Sequence, residues 1–226
     1  MTSKPYQLFY WPIPGRAEAS RVALSLANLD WDDVSLTPEL FASMKNDGEL
    51  PWGMVPLLKT PEGGLAESIA ILRYLGHMCD LIPKNAFMAA KVDEFIDGIS
   101  PHFSILEGTF GIDDISERTK AREALFLPDA KGTVGLKLLE KKIKESPTSW
   151  IAGTDDMSIA DLMVFTYTFG LFSGNFDGVN ASVLSDYQVL LGYHSVMADE
   201  PRIKAHYAEL PEGSLRWTYQ PGAFTN

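Results

Sequence analysis

The chain contains a single cysteine, Cys79, so no internal disulfide can form. That fits a reducing compartment, and a cytoplasmic protein is expected. Basic residues are scarce: 19 Lys and Arg stand against 30 Asp and Glu, a net charge of −11. Nucleic acid and an acidic membrane surface are excluded as main partners by that balance. No apolar run approaches the roughly 18 residues that a membrane span needs. The N-terminus lacks a basic segment followed by an apolar stretch and a small-residue cleavage site, so no signal peptide is expected. The histidines are few and scattered (His77, His102, His194 and His206), and none sits with Cys79 at metal-ligand spacing. No metal site is therefore expected. Phosphate-loop and dinucleotide glycine patterns are missing. The acidic pairs Asp113-Asp114 and Asp155-Asp156 lack the calcium-loop spacing. No internal repeat or low-complexity segment is present.

What is there is the composition of a globular protein, 46% apolar and 22% charged over 226 residues. Up to about residue 78 the pattern alternates. Residues 6–10 read as a strand, and 15–29 as a helix with Ala19, Val22, Ala23 and Leu26 on one face. Residues 31–36 read as a second strand. Residues 37–47 read as a short helix capped by Thr37, with Pro38 in its first turn. Two strands joined by the turn 61–64 follow, and then a helix over 68–78. The order β-α-β-α-β-β-α predicts a small domain with a mixed sheet.

Beyond residue 85 the strand signal fades. Val92, Phe95, Ile96, Ile99 and Phe103 recur at helical spacing, with a kink or break expected at Pro101. Residues 158–172 are apolar almost all round, the mark of a buried helix. Ser158 and Asp161 at its start form a capping-box pattern and predict a structural role. The boundary falls near Pro83, giving domains 1–82 and 83–226.

Three local features carry chemistry. Tyr10 stands where a strand stops and a helix is about to start, placed either for packing or to act on something. Pro56 opens a strand, either as a trans residue at its first position or as a cis-proline that lets Val55 offer its backbone to a peptide-like ligand. Ser68 either caps the helix it begins or sits in the first turn beside a capping Glu67. Because a helix N-terminus attracts anions, Ser68 suits a carboxylate and Glu67 an ammonium, together the α-amino-acid end of a ligand.

The segments "YWPIPGRAE", "MVPLL", "ESIAILRYL" and "SIAD", in that order and at that separation, resemble the cytosolic glutathione S-transferases over nearly the whole chain. The start of the chain is most similar to the tyrosine-type classes (alpha, mu, pi and especially sigma). The resemblance implies an α+β two-domain protein. A thioredoxin-like glutathione-binding domain with a mixed four-stranded sheet would precede an all-helical domain that completes the hydrophobic substrate site. It also implies a cytoplasmic homodimer active in detoxification, with glutathione as co-substrate and a hydrophobic electrophile as its small-molecule partner. Tyr10 would be the catalytic hydroxyl. Arg16, Phe41, Lys45, Val55, Pro56, Glu67 and Ser68 would bind glutathione, and Trp11 and Phe103 would line the electrophile pocket. Glu67 departs from the glutamine usual in the tyrosine classes. Pro101 stands near the place of an aspartate that reaches the partner subunit's glutathione. A glutathione-dependent isomerase or peroxidase, and a non-catalytic binding or structural relative, are the alternatives.

Overall fold

The computed structural model describes residues 4–224. The chain divides into two compact units, Met1–Ile82 and Pro83–Asn226.

The first unit is built on a four-stranded sheet. Its strands are β1 (Tyr6–Tyr10), β2 (Trp31–Ser35), β3 (Leu57–Thr60) and β4 (Gly63–Ala66), in the spatial order β2-β1-β3-β4. β1 and β2 are parallel, and the β1–β3 and β3–β4 pairs are antiparallel. Helix α1 (Glu18–Leu26) makes the crossover between the parallel strands; α2 (Pro38–Asn46) and α3 (Ser68–Met78) complete the unit. This is the thioredoxin-like arrangement.

Strand alternation sends successive side chains of β1 to opposite faces. Phe9 joins Leu36, Met44, Leu50 and Leu57 in a buried cluster on the face that α2 covers. Leu8 and its cross-strand partner Leu58 are wholly buried on the other face, where α1 packs on α3. Tyr10 follows Leu8 to that second face. Each such buried aliphatic side chain contributes about 1.5–3 kcal/mol of transfer free energy. Helix α2 starts as its sequence predicts: the Thr37 hydroxyl accepts from the Leu40 N–H at 3.2 Å, and Pro38 occupies the first turn.

The second unit is helical among the described residues. It contains α4 (Ala86–Phe103), α5 (Ile115–Ala124), α6 (Lys131–Glu145), α7 (Ile159–Leu171), α8 (Gln188–Asp199) and α9 (Pro201–His206), with short 3₁₀ turns between them. The break expected at Pro101 does not occur there. Helix α4 runs through Pro101 and ends two residues later at Phe103, so the proline interrupts only its last turn. Helix α7 is buried along nearly its whole length. Ser158 and Asp161 form a capping box at its start. Asp161 also reaches out of the helix: besides the Ser158 N–H and hydroxyl (both 2.8 Å), it accepts from the Ile151 N–H at 2.8 Å and the Tyr193 hydroxyl at 2.9 Å. Burial pushes the Asp161 carboxyl above its ordinary value, and these donors pull against it.

The 3₁₀ turn Leu215–Tyr219 is strapped onto α7 and α8. The Tyr219 hydroxyl donates to the Thr166 carbonyl at 2.8 Å, and the Nε2–H of His194 donates to the Thr218 carbonyl at 2.7 Å.

Candidate active site

β1 runs out at Tyr10 because Pro12 and Pro14 follow, and proline cannot donate to a sheet ladder. Gly15 then turns the chain with φ of +46°, and the 3₁₀ turn Gly15–Ala17 feeds α1. A Cβ on Gly15 would lie 2.8 Å from the Tyr10 hydroxyl oxygen and 2.9 Å from the ring, so only glycine permits this approach. The Tyr10 hydroxyl oxygen accepts from the Arg16 N–H at 3.1 Å. Its side chain is buried, which pushes the phenol pKa up; the Arg16 N–H and the positive charges of Arg16 and Arg21 pull it down, and burial prevails. At neutral pH the group is therefore a protonated phenol, one lone pair engaged and its proton free to be donated.

Arg21 holds this loop. Its guanidinium donates to the carbonyls of Trp11 (3.3 Å), Ile13 (2.9 Å) and Pro14 (3.1 Å), and to the carboxylates of Glu18 (3.0 Å) and Asp33 (2.9 Å). The guanidinium carbon lies 5.8 Å from the Tyr10 ring centroid. Arg21 is 2% exposed and Glu18 0%, and the buried pair is offset by hydrogen bonds from all three guanidinium nitrogens. Sequence reasoning missed both residues. The available signal was a Glu and an Arg three residues apart among the apolar positions of α1, where a solvated charge has no place.

The sheet brings the other candidates to the same end. Phe9 pairs with Leu57, and Leu57 with Ala66. One residue beyond those pairs stand Tyr10, Pro56 and Glu67. The Val55–Pro56 bond is cis, and Val55 lies just outside the β3 ladder. Glu67 occupies the N-cap position of α3 with φ of +69°, sparsely populated for a residue with a side chain. No side-chain hydrogen bond caps this helix end. Ser68 is thus the first helical residue, 6% exposed, beside N–H groups that a helix start leaves for an anion. Phe41 on α2 packs its ring 5.3 Å from that of Trp11. Lys45 is exposed on α2, beside Gly53.

Phe103 belongs to the helical unit, where it meets Tyr167 edge-on at 5.2 Å. Ser158 and Asp161 serve the start of α7 there. Cys79 is half-buried, its thiol donating to the Leu75 carbonyl at 3.2 Å. Among the described residues no three His, Cys, Asp or Glu side chains form a metal-binding group, and no helix is long and apolar enough to cross a membrane.

A tyrosine at a strand end, a cis-proline and an uncapped helix start, on a thioredoxin-like sheet and followed by a helical unit, define a class of two-domain protein. Residues 6–77 match the model of the glutathione S-transferase N-terminal domain, and residues 112–209 that of the glutathione S-transferase C-terminal domain. The chain belongs to the glutathione S-transferase family. It is similar to glutathione S-transferase 1 of Ascaris suum, 28% identical over 92% of this chain and 97% of that one. It is also similar to glutathione S-transferase A4 of Mus musculus, 27% identical over 90% of this chain and 88% of that one. The structure of prostaglandin synthase D of Nilaparvata lugens shares the fold at a TM-score of 0.78 and 21% identity, covering 91% of this chain and 98% of that one.

Proposed function

We propose that the chain is a tyrosine-type glutathione transferase that conjugates the glutathione thiolate to hydrophobic electrophiles. The observation that carries this reading is the Tyr10 hydroxyl: buried, protonated, and with its oxygen already accepting from the Arg16 N–H. Such a group donates to a thiolate and favours it over the thiol; it does not itself attack. The glutathione thiol behaves as a free cysteine, with a pKa of about 8.5 and a few per cent thiolate at neutral pH. Lowering that value by about two units takes about 2.7 kcal/mol, within the scale of a charge-assisted hydrogen bond in a dry site.

Glutathione would lie along the end of the sheet, Val55 meeting its cysteinyl backbone beside Pro56. Glu67 would take the γ-glutamyl ammonium, Ser68 and the α3 N–H groups the γ-glutamyl carboxylate, and Lys45 the glycine carboxylate. Arg16 would stand at the mouth of the site. The Trp11–Phe41 pair offers aromatic surface within the same unit.

Ser68→Ala tests the placement of glutathione. Loss of a hydrogen bond to a charged group is expected to weaken binding by about 1–3 kcal/mol, roughly 5- to 150-fold in Kd. Isothermal calorimetry with glutathione reads this directly, and equal affinities for the two proteins would move the γ-glutamyl site elsewhere. Binding without turnover of a chromogenic electrophile would favour the non-catalytic alternative.

A two-fold homodimer completes the reading. Light scattering at micromolar concentration is expected to return twice the chain mass of 25.0 kDa, and a monomer mass would remove the dimer.

A further inference from the structure

The helical unit buries a titratable group that takes no part in the chemistry proposed at Tyr10. His194 on α8 is 2% exposed. Three phenylalanine rings surround it: Phe169 edge-on at 4.5 Å, Phe224 edge-on at 4.9 Å and Phe165 at 5.5 Å. Its Nε2–H donates to the Thr218 carbonyl at 2.7 Å, and Thr218 is wholly buried.

That bond fastens residues 215–224 near their middle. Before it, the Trp217 indole N–H donates to the Ser173 carbonyl at 2.9 Å. After it, Tyr219 stacks on Tyr207 at 4.9 Å with its hydroxyl on the Thr166 carbonyl. Gln220 Nε2 donates to the Tyr207 carbonyl at 2.7 Å. Phe224 then folds back against Phe169 and Trp217, each at 5.4 Å, as well as against His194. The strap thus supplies both the hydrogen-bond acceptor and one wall of the box around the imidazole. Opening it would bring water to His194.

A second proton would put a positive charge into that box. From α7, Phe165 and Phe169 face the ring, and neither ionises. From the strap come the Thr218 carbonyl and Phe224; Tyr219 beside them has its phenol committed to Thr166, and Arg216 is the charge that the strap carries. On α8 itself stands Asp199, which pairs with Lys204 of α9 at 3.2 Å. The Thr218 carbonyl and the Asp199 charge favour the imidazolium, burial opposes it, and burial prevails, holding the group below its ordinary value. With the strap open, the solvated ring titrates near its ordinary value of about 6.5. The closed strap therefore has its full stability above about pH 6.5 and loses stability as pH falls below it, by up to about tenfold in the closed-to-open ratio per pH unit.

We propose that His194 is a proton-operated latch, which holds residues 215–224 on α7 and α8 while its ring is neutral and loosens them when the ring takes a second proton. The carboxylates of the chain stay largely ionised between pH 7.5 and 5.5, so the latch responds in a range where most of the fold does not.

Hydrogen exchange of the full chain, followed by mass spectrometry and corrected for intrinsic rates, reads the opening of each segment. Between pH 7.5 and 5.5, protection of peptides covering 215–224 is expected to fall about 3- to 10-fold, while peptides from α4 and α6 keep theirs. His194→Gln, which cannot titrate, should abolish the difference between the two pH values. Proton NMR of the imidazoles should show one histidine, missing from His194→Gln, that titrates below about 6.5. If His194→Gln does not fold, Phe224→Ala decides: a looser strap must move the lowest-titrating imidazole of the wild type toward about 6.5. Equal strap protection at the two pH values, the same loss in His194→Gln, a parallel loss in α4 and α6, or an imidazole unmoved by Phe224→Ala would each overturn the proposal. The measurements read the strap itself, so they stand whether or not Tyr10 carries the proposed activity.

Discussion

Tyr10→Phe is expected to lower turnover at neutral pH by at least about tenfold, while glutathione affinity stays within a few-fold. The substitution removes one oxygen and leaves the ring, so the packing against Gly15 and Arg21 is kept. What is lost is the only part of Tyr10 that touches the sulfur in the proposed mechanism. In the proposed site affinity would be spread over Lys45, Val55, Glu67 and Ser68, so it should scarcely move. The pH profile separates this role from a structural one. With the hydroxyl present, bound thiol ionises about two units below its free value; without it, the rising limb moves back toward about 8.5. The two enzymes should therefore differ most near neutrality and converge in base, where both thiols are ionised. Burial keeps the Tyr10 phenol protonated through that range, so the hydroxyl remains a donor across the comparison. Equal rates at neutral pH would remove Tyr10 from the mechanism.

Asp161→Ala should give the largest loss of stability. Its carboxylate accepts from the Ser158 N–H, the Ser158 hydroxyl, the Ile151 N–H and the Tyr193 hydroxyl, all in buried surroundings. A lost N-cap alone costs about 0.5–2 kcal/mol. Alanine also strands donors at Ile151 and Tyr193, at about 1–3 kcal/mol for each buried group left unpaired. Together these come to about 2.5–8 kcal/mol, a span that reaches the losses typical of a broken buried network. At roughly 2–4 °C per kcal/mol for a chain of this size, Tm should fall by about 5–30 °C. Activity per folded molecule should stay near normal, because Asp161 serves the start of α7 and has no part in the proposed chemistry. Calorimetric melting of the two proteins is the measurement, and an unchanged Tm would mean that these four contacts contribute nothing net.

Much of this molecule is written in short-range pattern. Alternation over residues 6–10, the Thr37-Pro38 start of α2 and the Ser158-to-Asp161 spacing depend on neighbours within one or two turns. The forces involved, strand pleat, helix pitch and capping hydrogen bonds, act over that same distance. The two-domain order and the candidate set at Tyr10, Pro56, Glu67 and Ser68 follow from four such segments taken together. Val55–Pro56 admits both isomers in the sequence, and the tertiary structure holds it cis.

Other features needed the folded chain. Pro101 has a local preference against helix, and the packing of α4 overrides it until Phe103. Arg21 looks like one more residue of an amphipathic helix. Only the fold brings the carbonyls of Trp11, Ile13 and Pro14 and the carboxylates of Glu18 and Asp33 around its guanidinium. Gly15 looks like an ordinary turn glycine until the Tyr10 ring lies against it. Ile151 and Tyr193 reach Asp161 from 10 and 32 residues away. The sequence by itself determined the elements of the first unit, their order and the start of α7. The tertiary structure decided which buried charges and hydroxyls meet, because a desolvated polar group is satisfied by whatever the fold brings within hydrogen-bond distance, however remote it is along the chain.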